Sequence, residues 1–222
     1  MSSKVVVLEA KSRHMGTVLF MHGLGDSPMG WAGEMAHIQS KLPHLKFVLP
    51  AAPNMPVTLN GGMVMPAWHD LKSLGTIADD DFSGLDASTR NIQDIIQKEA
   101  AIIGSERIVV GGFSQGAAMA LVSGYSFPSK LGGIVAMSGY LPRFHRFSST
   151  VLHASNAKTP TLIAHGTSDP IVHVRAAEKT KEVLAASCIP FEFKLYDGMP
   201  HSACDQEIQD VMDFISQLLP SA

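Results

Sequence analysis

Gly112-Phe113-Ser114-Gln115-Gly116 has the pattern of a serine nucleophile. It follows the apolar run from Arg107 to Gly112, which reads as a strand, and precedes the apolar segment Ala117–Tyr125, which reads as a helix. On a tight strand-to-helix turn the serine is forced into a strained backbone conformation. Glycines two before and two after let neighbouring chains pass. The hydroxyl then stands at a helix N-terminus, where the helix dipole favours developing negative charge. A serine hydroxyl is a weak nucleophile until a base removes its proton, so a histidine and an orienting carboxylate are required. Where the serine stands on such a strand-to-helix elbow, these follow in the order serine, acid, histidine, each after a later strand. The run Thr161–Ala164 leads into a turn carrying Asp169, and Phe191–Leu195 leads into a loop carrying His201. Other candidates fit less well. His165 and His173 crowd the acid, His22 precedes the serine, and Asp197 shares the histidine's own loop. The chemistry these residues imply is acyl transfer to Ser114, with His201 as base and Asp169 as its partner.

A tetrahedral intermediate needs two N–H groups aimed at its oxygen. Gln115, next to the nucleophile, offers one. The second is expected from Leu24, in the glycine-flanked turn His22-Gly23-Leu24-Gly25-Asp26 that follows the run Gly16–Met21.

The elements that must hold these residues are legible as an alternation. Strands are expected at Lys4–Leu8, Gly16–Met21, Lys46–Leu49, Arg107–Gly112, Gly132–Met137, Thr161–Ala164 and Phe191–Leu195. The runs around Val18, Ile108, Ile134 and Leu162 are continuously apolar, as for strands buried on both faces. Helical stripes of spacing three and four mark Leu85–Ile103 and Ala203–Leu219, and a third helix is expected over Arg175–Ala186. This is an α/β protein with a mainly parallel central sheet flanked by helices, in one domain over residues 1–222.

One segment, Pro50–Asp81, breaks the alternation with four prolines and the pair Gly61-Gly62. Connections of about this length are usually functional or disordered. Its apolar content favours function: an added cover over an acyl chain, with Leu59, Met63, Met65, Trp68, Leu74 and Ile77 lining the groove. Methionines adapt to varied apolar shapes. Packing beside the sheet is the plainer alternative, above all for Trp68.

Composition narrows the classes further. Among 222 residues, 45% are hydrophobic and 17% charged, with a net charge of −3. No basic block offers an electrostatic footprint for nucleic acid. No run approaches the ~18 apolar residues of a spanning helix, the N-terminal apolar run is too brief for a signal peptide to be expected, and neither a myristoyl nor a prenyl signal is expected. The two cysteines, Cys188 and Cys204, are expected as reduced thiols. Ten scattered histidines show no metal-ligand spacing, so neither metal nor cofactor is expected.

With these motifs in view, the chain resembles the acyl-protein thioesterases of the phospholipase/carboxylesterase family, over essentially its whole length. The matching residues are His22-Gly23-Leu24-Gly25-Asp26, Pro50-Ala51-Ala52-Pro53, Gly112-Phe113-Ser114-Gln115-Gly116, His165-Gly166 with Asp169-Pro170, and Gly198 with His201-Ser202. The resemblance implies a single-domain α/β-hydrolase fold and a cytoplasmic enzyme that removes palmitoyl groups from S-acylated protein cysteines. It implies a monomer or weak homodimer in transient contact with membrane surfaces. The alternative is a carboxylesterase or lysophospholipase acting on small or lipid oxygen esters, because the same triad serves both. Three residues depart from the resembled pattern near the groove: Ala117 where glycine is common, His69 where an aromatic is common, and Tyr140 where tryptophan is frequent.

Overall fold

The computed structural model describes residues 5–73 and 81–221. Seven strands form the main sheet in the order β1-β3-β2-β6-β7-β8-β9. They are β1 (Val6–Leu8), β2 (Gly16–Met21), β3 (Leu45–Leu49), β6 (Ile108–Phe113), β7 (Gly133–Met137), β8 (Thr161–Gly166) and β9 (Phe191–Tyr196). The edge strand β1 runs antiparallel to β3, and every other pairing in this sheet is parallel. Strand β2 shows why its sequence is apolar throughout. Val18 and Phe20 enter one core layer and Leu19 and Met21 the other, so both faces are buried.

Helices α1 (Pro28–Lys41) and α5 (Asp205–Leu218) cover one face through Trp31, Met35, Ile38, Ile208, Val211 and Phe214. On the other face lie α2 (Leu85–Ile103), α3 (Gln115–Tyr125) and α4 (Arg175–Ala186). In α2 the stripe Leu85, Ile92 and Ile96 turns inward, and Gly104 ends the helix at a φ of 84°. Helix α1 has no counterpart in the sequence-based expectation. Its weak apolar pattern, broken by Gly30 and Gly33, hid it; Pro28 in its first turn was the available signal.

The Pro50–Asp81 segment is partly regular. Strands β4 (Asn54–Val57) and β5 (Met63–Pro66) pair antiparallel as a separate hairpin. Gly61 and Gly62, with φ of 65° and 80°, close the turn, as only glycine does readily. Asp70 clasps the tip, accepting hydrogen bonds from the Thr58 N–H at 2.7 Å and the Thr58 hydroxyl at 2.6 Å.

Strand order reverses between β2 and β6: the chain steps from β2 outward to β3, then returns to the far side of β2. In open α/β sheets, ligands bind at the carboxyl ends of the strands flanking such a reversal. Here those ends carry His22–Leu24 and Ser114.

Candidate active site

Ser114 sits between the last residue of β6 and the first of α3, with φ 56° and ψ −120°. A positive φ is strained for any side chain, and it persists only where the surroundings enforce it. The enforcement is visible. A Cβ on Gly116 would run into the carbonyl oxygens of Met21 and His22, and one on Gly112 into the backbone of Gly116 itself. The two glycines therefore let β2, the turn and α3 approach at backbone distance. The Ser114 N–H donates to the Met137 carbonyl at 2.8 Å, extending the β6–β7 pairing into the turn.

His201 faces Ser114, with Nε2 2.9 Å from Oγ. Its Nδ1 lies 2.6 Å from Asp169 Oδ2. A carboxylate there only accepts, so Nδ1 carries the proton and Nε2 is left to accept from the serine hydroxyl. The remaining oxygen, Asp169 Oδ1, accepts from the N–H groups of Ile171 and Val172 at 2.8 and 2.9 Å. The ring of Phe113 packs on His201 at a centroid distance of 4.8 Å. Asp169 is buried, and His201 is half-buried at the pocket wall.

The acid and base loops are joined by more than this contact. The Thr167 N–H donates to the Tyr196 carbonyl at 3.0 Å, and the Ser168 N–H to that of Met199 at 3.2 Å. A Cβ on Gly166 would collide with the Met199 carbonyl oxygen, so the loops cross too closely for a side chain. Asp197, the competing acid, accepts from the Thr167 hydroxyl at 3.2 Å and belongs to this brace. His165 is fully buried beside Asp169, and its Nε2–H donates to the Val172 carbonyl at 2.7 Å. Burial pushes its ring below the ordinary histidine range, outweighing that hydrogen bond and the nearby carboxylate.

Leu24 and Gln115 both line the pocket beside Ser114. Among the described residues neither N–H has a backbone acceptor, and Gln115 opens α3, where such groups are free to bind an anion. The loop bearing Leu24 is fixed from below by His22. Its Nδ1–H donates to the Gly23 carbonyl at 2.8 Å, and Nε2 accepts from the Ala52 N–H at 3.1 Å. Burial holds this ring below the usual histidine range, although the Gly23 contact and Asp26 act the other way. The Gln115 side chain spans to the next segment, accepting from the Trp68 N–H at 2.8 Å and donating to the His69 carbonyl at 2.9 Å. Sequence reasoning missed the bracing roles of His22 and the Gln115 side chain. Only their closeness to the expected oxyanion positions hinted at them.

A cavity of about 430 Å³ opens over Ser114. Leu59, Leu71, Tyr140, Ile171 and Val172 form an apolar wall, while Trp31, Phe113 and Ala203 line it with Gly30 and Ser202. Of the expected groove residues, Leu59 lines this cavity. Trp68 does not: it is 2% exposed and donates its indole N–H to the His22 carbonyl at 2.8 Å, which makes it a core support for the loop of Leu24. Met63 points to solvent at 64% exposure, a consequence of its place on the hairpin's outer face. Met65 is half-buried behind the loop of Leu24, its sulfur 3.1 Å from the Asn60 amide nitrogen. Leu74 and Ile77 lie outside the described residues. Ile171 and Val172 were unremarked in the sequence, though two apolar residues following Asp169-Pro170 were a readable sign.

Among the described residues no cluster of His, Cys, Asp or Glu is placed to hold a metal ion. Both cysteines are free thiols, Cys188 exposed and Cys204 half-buried.

A parallel sheet with a serine on its central strand-to-helix turn after β6, and an acid and histidine after β8 and β9, defines a serine hydrolase of the α/β-hydrolase fold. The comparisons narrow this. The family model of phospholipases and carboxylesterases matches residues 2–219. Acyl-protein thioesterase 1 of Neurospora crassa is 40% identical over 97% of this chain and 91% of its own length. Acyl-protein thioesterase 1 homolog 1 of Dictyostelium discoideum is 42% identical over 93% and 92%, respectively. The crystal structure of Zea mays acyl-protein thioesterase 2 superposes with a TM-score of 0.87 at 30% identity, covering 98% of this chain and 99% of that one. The chain belongs to the phospholipase/carboxylesterase family.

Proposed function

We propose that this protein hydrolyses acyl thioesters through an acyl-enzyme on Ser114, with S-acylated protein cysteines as the substrate class. The observation that carries the reading is the continuous hydrogen-bonded line from Asp169 through His201 to Ser114 at the foot of an apolar-walled cavity. His201 Nε2 takes the Ser114 proton as Oγ attacks the thioester carbonyl carbon. The oxyanion forms between the N–H groups of Leu24 and Gln115, and Asp169 stabilises the imidazolium. Collapse breaks the carbon–sulfur bond and expels the substrate cysteine, which takes the proton from His201. Water then attacks the acyl-enzyme with His201 again as base, releasing the fatty acid and restoring Ser114.

The β4–β5 hairpin serves as cover for the acyl chain, with Leu59 at its contact with the cavity. Its outward residues Met63 and Val64, 64% and 65% exposed, suit brief contact with the lipid surface from which an acylated protein is drawn. Among the described residues no helix is long and apolar enough to cross a membrane. A cytoplasmic enzyme visiting membrane surfaces is the arrangement that fits these features. Oxygen esters enter the same chemistry, because the acyl half is what the cavity holds.

The test combines labelling with competition. A fluorophosphonate should modify Ser114, and a palmitoylated cysteine peptide should be cleaved with a higher kcat/KM than a lysophospholipid. The reverse order would assign the protein to lipid oxygen esters instead.

A further inference from the structure

Tyr140 has a cavity on each side. One side borders the pocket over Ser114, and the other borders a smaller space of about 60 Å³ walled by Leu141, Phe144, Ala176, Lys179 and Thr180. The residue therefore borders both spaces. It is 3% exposed, and its hydroxyl lies 3.1 Å from His69 Nε2. His69 is fully buried, with Nδ1 2.7 Å from the Asp70 carbonyl oxygen. That oxygen only accepts, so the proton sits on Nδ1 and Nε2 accepts from the tyrosine hydroxyl. Phe82 completes the clamp, stacking on Tyr140 at 6.3 Å and meeting His69 edge-on at 5.2 Å.

Leu71 and Val172, 3% and 2% exposed, are buried like Tyr140, but two other apolar wall residues are held differently. Leu59 and Ile171 are 38% and 47% exposed and stand at the mouth, where a bound chain can displace them. Tyr140 is held at an interior wall, where a side chain yields only if its packing and its hydrogen bond yield together. A wall of this kind limits size; a mouth residue does not.

We propose that Tyr140, positioned by His69, sets the upper limit on the acyl chain the pocket accepts, and that the cavity behind it is a latent extension of the acyl site. The inference rests on the acyl-hydrolase reading. The specificity-determining group is the phenol ring, which would touch the chain. His69 acts through it as a positioning residue.

The experiment measures kcat/KM for p-nitrophenyl butanoate, octanoate, laurate and palmitate, below their aggregation limits. Tyr140→Ala removes the partition and should raise the laurate-to-butanoate ratio by roughly ten-fold or more, as expected for apolar pockets gaining room for methylenes. Tyr140→Leu should shift the ratio the same way if the alanine variant folds poorly, with thermal melting as the control. His69→Phe keeps a ring against Phe82 but removes the imidazole acceptor from the Tyr140 hydroxyl, and should raise the ratio by about two- to four-fold. Adding Tyr140→Phe to it should change nothing more, because both substitutions break one bond. A ratio unchanged within two-fold in folded Tyr140→Ala or Tyr140→Leu overturns the partition. An additive double variant overturns the positioning role of His69. Wild-type protein that cleaves none of the esters overturns the acyl-hydrolase reading, and this inference with it.

Discussion

The β6–α3 turn and the β4–β5 hairpin both border one cavity and are built on opposite principles. Around Ser114, helix α3 is buried along its whole length, the backbone is strained, and glycines are dictated by atoms that leave no space. The hairpin shows Leu59, Met63 and Val64 to solvent, and its tip is clasped chiefly by one surface carboxylate. Partial burial works against ionisation of Asp70, but the hydrogen bonds from Thr58 prevail and hold it below the ordinary carboxylate range. On the proposed function, the difference separates two tasks. Bond-breaking needs atoms held to a fraction of an ångström, whereas covering a variable chain needs a surface that yields.

The contrast can be broken most severely at the line of three residues. Ser114→Ala should abolish fluorophosphonate labelling and lower turnover by roughly 10⁴-fold or more with unchanged melting. Asp169→Asn should cost ~10³–10⁴-fold by spoiling the tautomer of His201. Asp197→Asn should cost far less; if the two aspartates exchanged rank in a rate assay, the acid would be misassigned.

Next in size is the packing that enforces the turn. Gly116→Val places side-chain atoms where the Met21 and His22 carbonyls sit, and should destabilise the fold by ~3 kcal/mol or more. Urea unfolding measures this, and an unchanged midpoint would refute the steric account of the glycine spacing. A comparable substitution at Gly61 meets open space and should cost only the strain of its φ of 65°.

A third outcome concerns pH. Glu207, in the first turn of α5, is fully buried, and among the described residues neither carboxyl oxygen has a hydrogen-bond partner. Burial, aided by Asp210, pushes it up from 4.5 to about 8. The folded chain thus keeps a proton that the unfolded chain releases, so stability should fall as pH rises from 4.5 to about 8. Glu207→Gln removes that slope, which is worth on the order of a few kcal/mol. Melting curves at pH 5 and pH 9 decide it, and an unchanged slope would show that the proton is not held.

The smallest effects belong to the hairpin. Leu59→Ser should lower kcat/KM for palmitoyl substrates by about ten-fold while changing butanoate hydrolysis less than two-fold. Met63→Ser should reduce turnover only on vesicle-borne substrate, by roughly three-fold, because its side chain does not line the cavity. Equal losses on dissolved and vesicle-borne substrates would remove the surface-contact role.

What could be read in advance follows the same division. The strands around Val18, Val109 and Leu162 were legible because burial on both faces demands unbroken apolar runs. The spacing of Gly112, Ser114 and Gly116 was legible because sterics permit few alternatives there. Helix α1 was not, since Gly30 and Gly33 dilute its stripe. The hairpin was hidden by Pro56 and Pro66, which interrupt strand patterning although an edge ladder tolerates them. Trp68 was placed in the groove because apolar content alone does not tell a wall from its support. That distinction depends on the partners found by its indole N–H and backbone N–H.

Helix α3 has no outside. All eleven of its residues, Gln115 to Tyr125, are enclosed, so none offers a position that can drift, accept a modifying group or carry a tag. Descendants of this chain would inherit the helix nearly unaltered, and their divergence in diet would have to be written in the loops around Leu59, Tyr140 and Ile171.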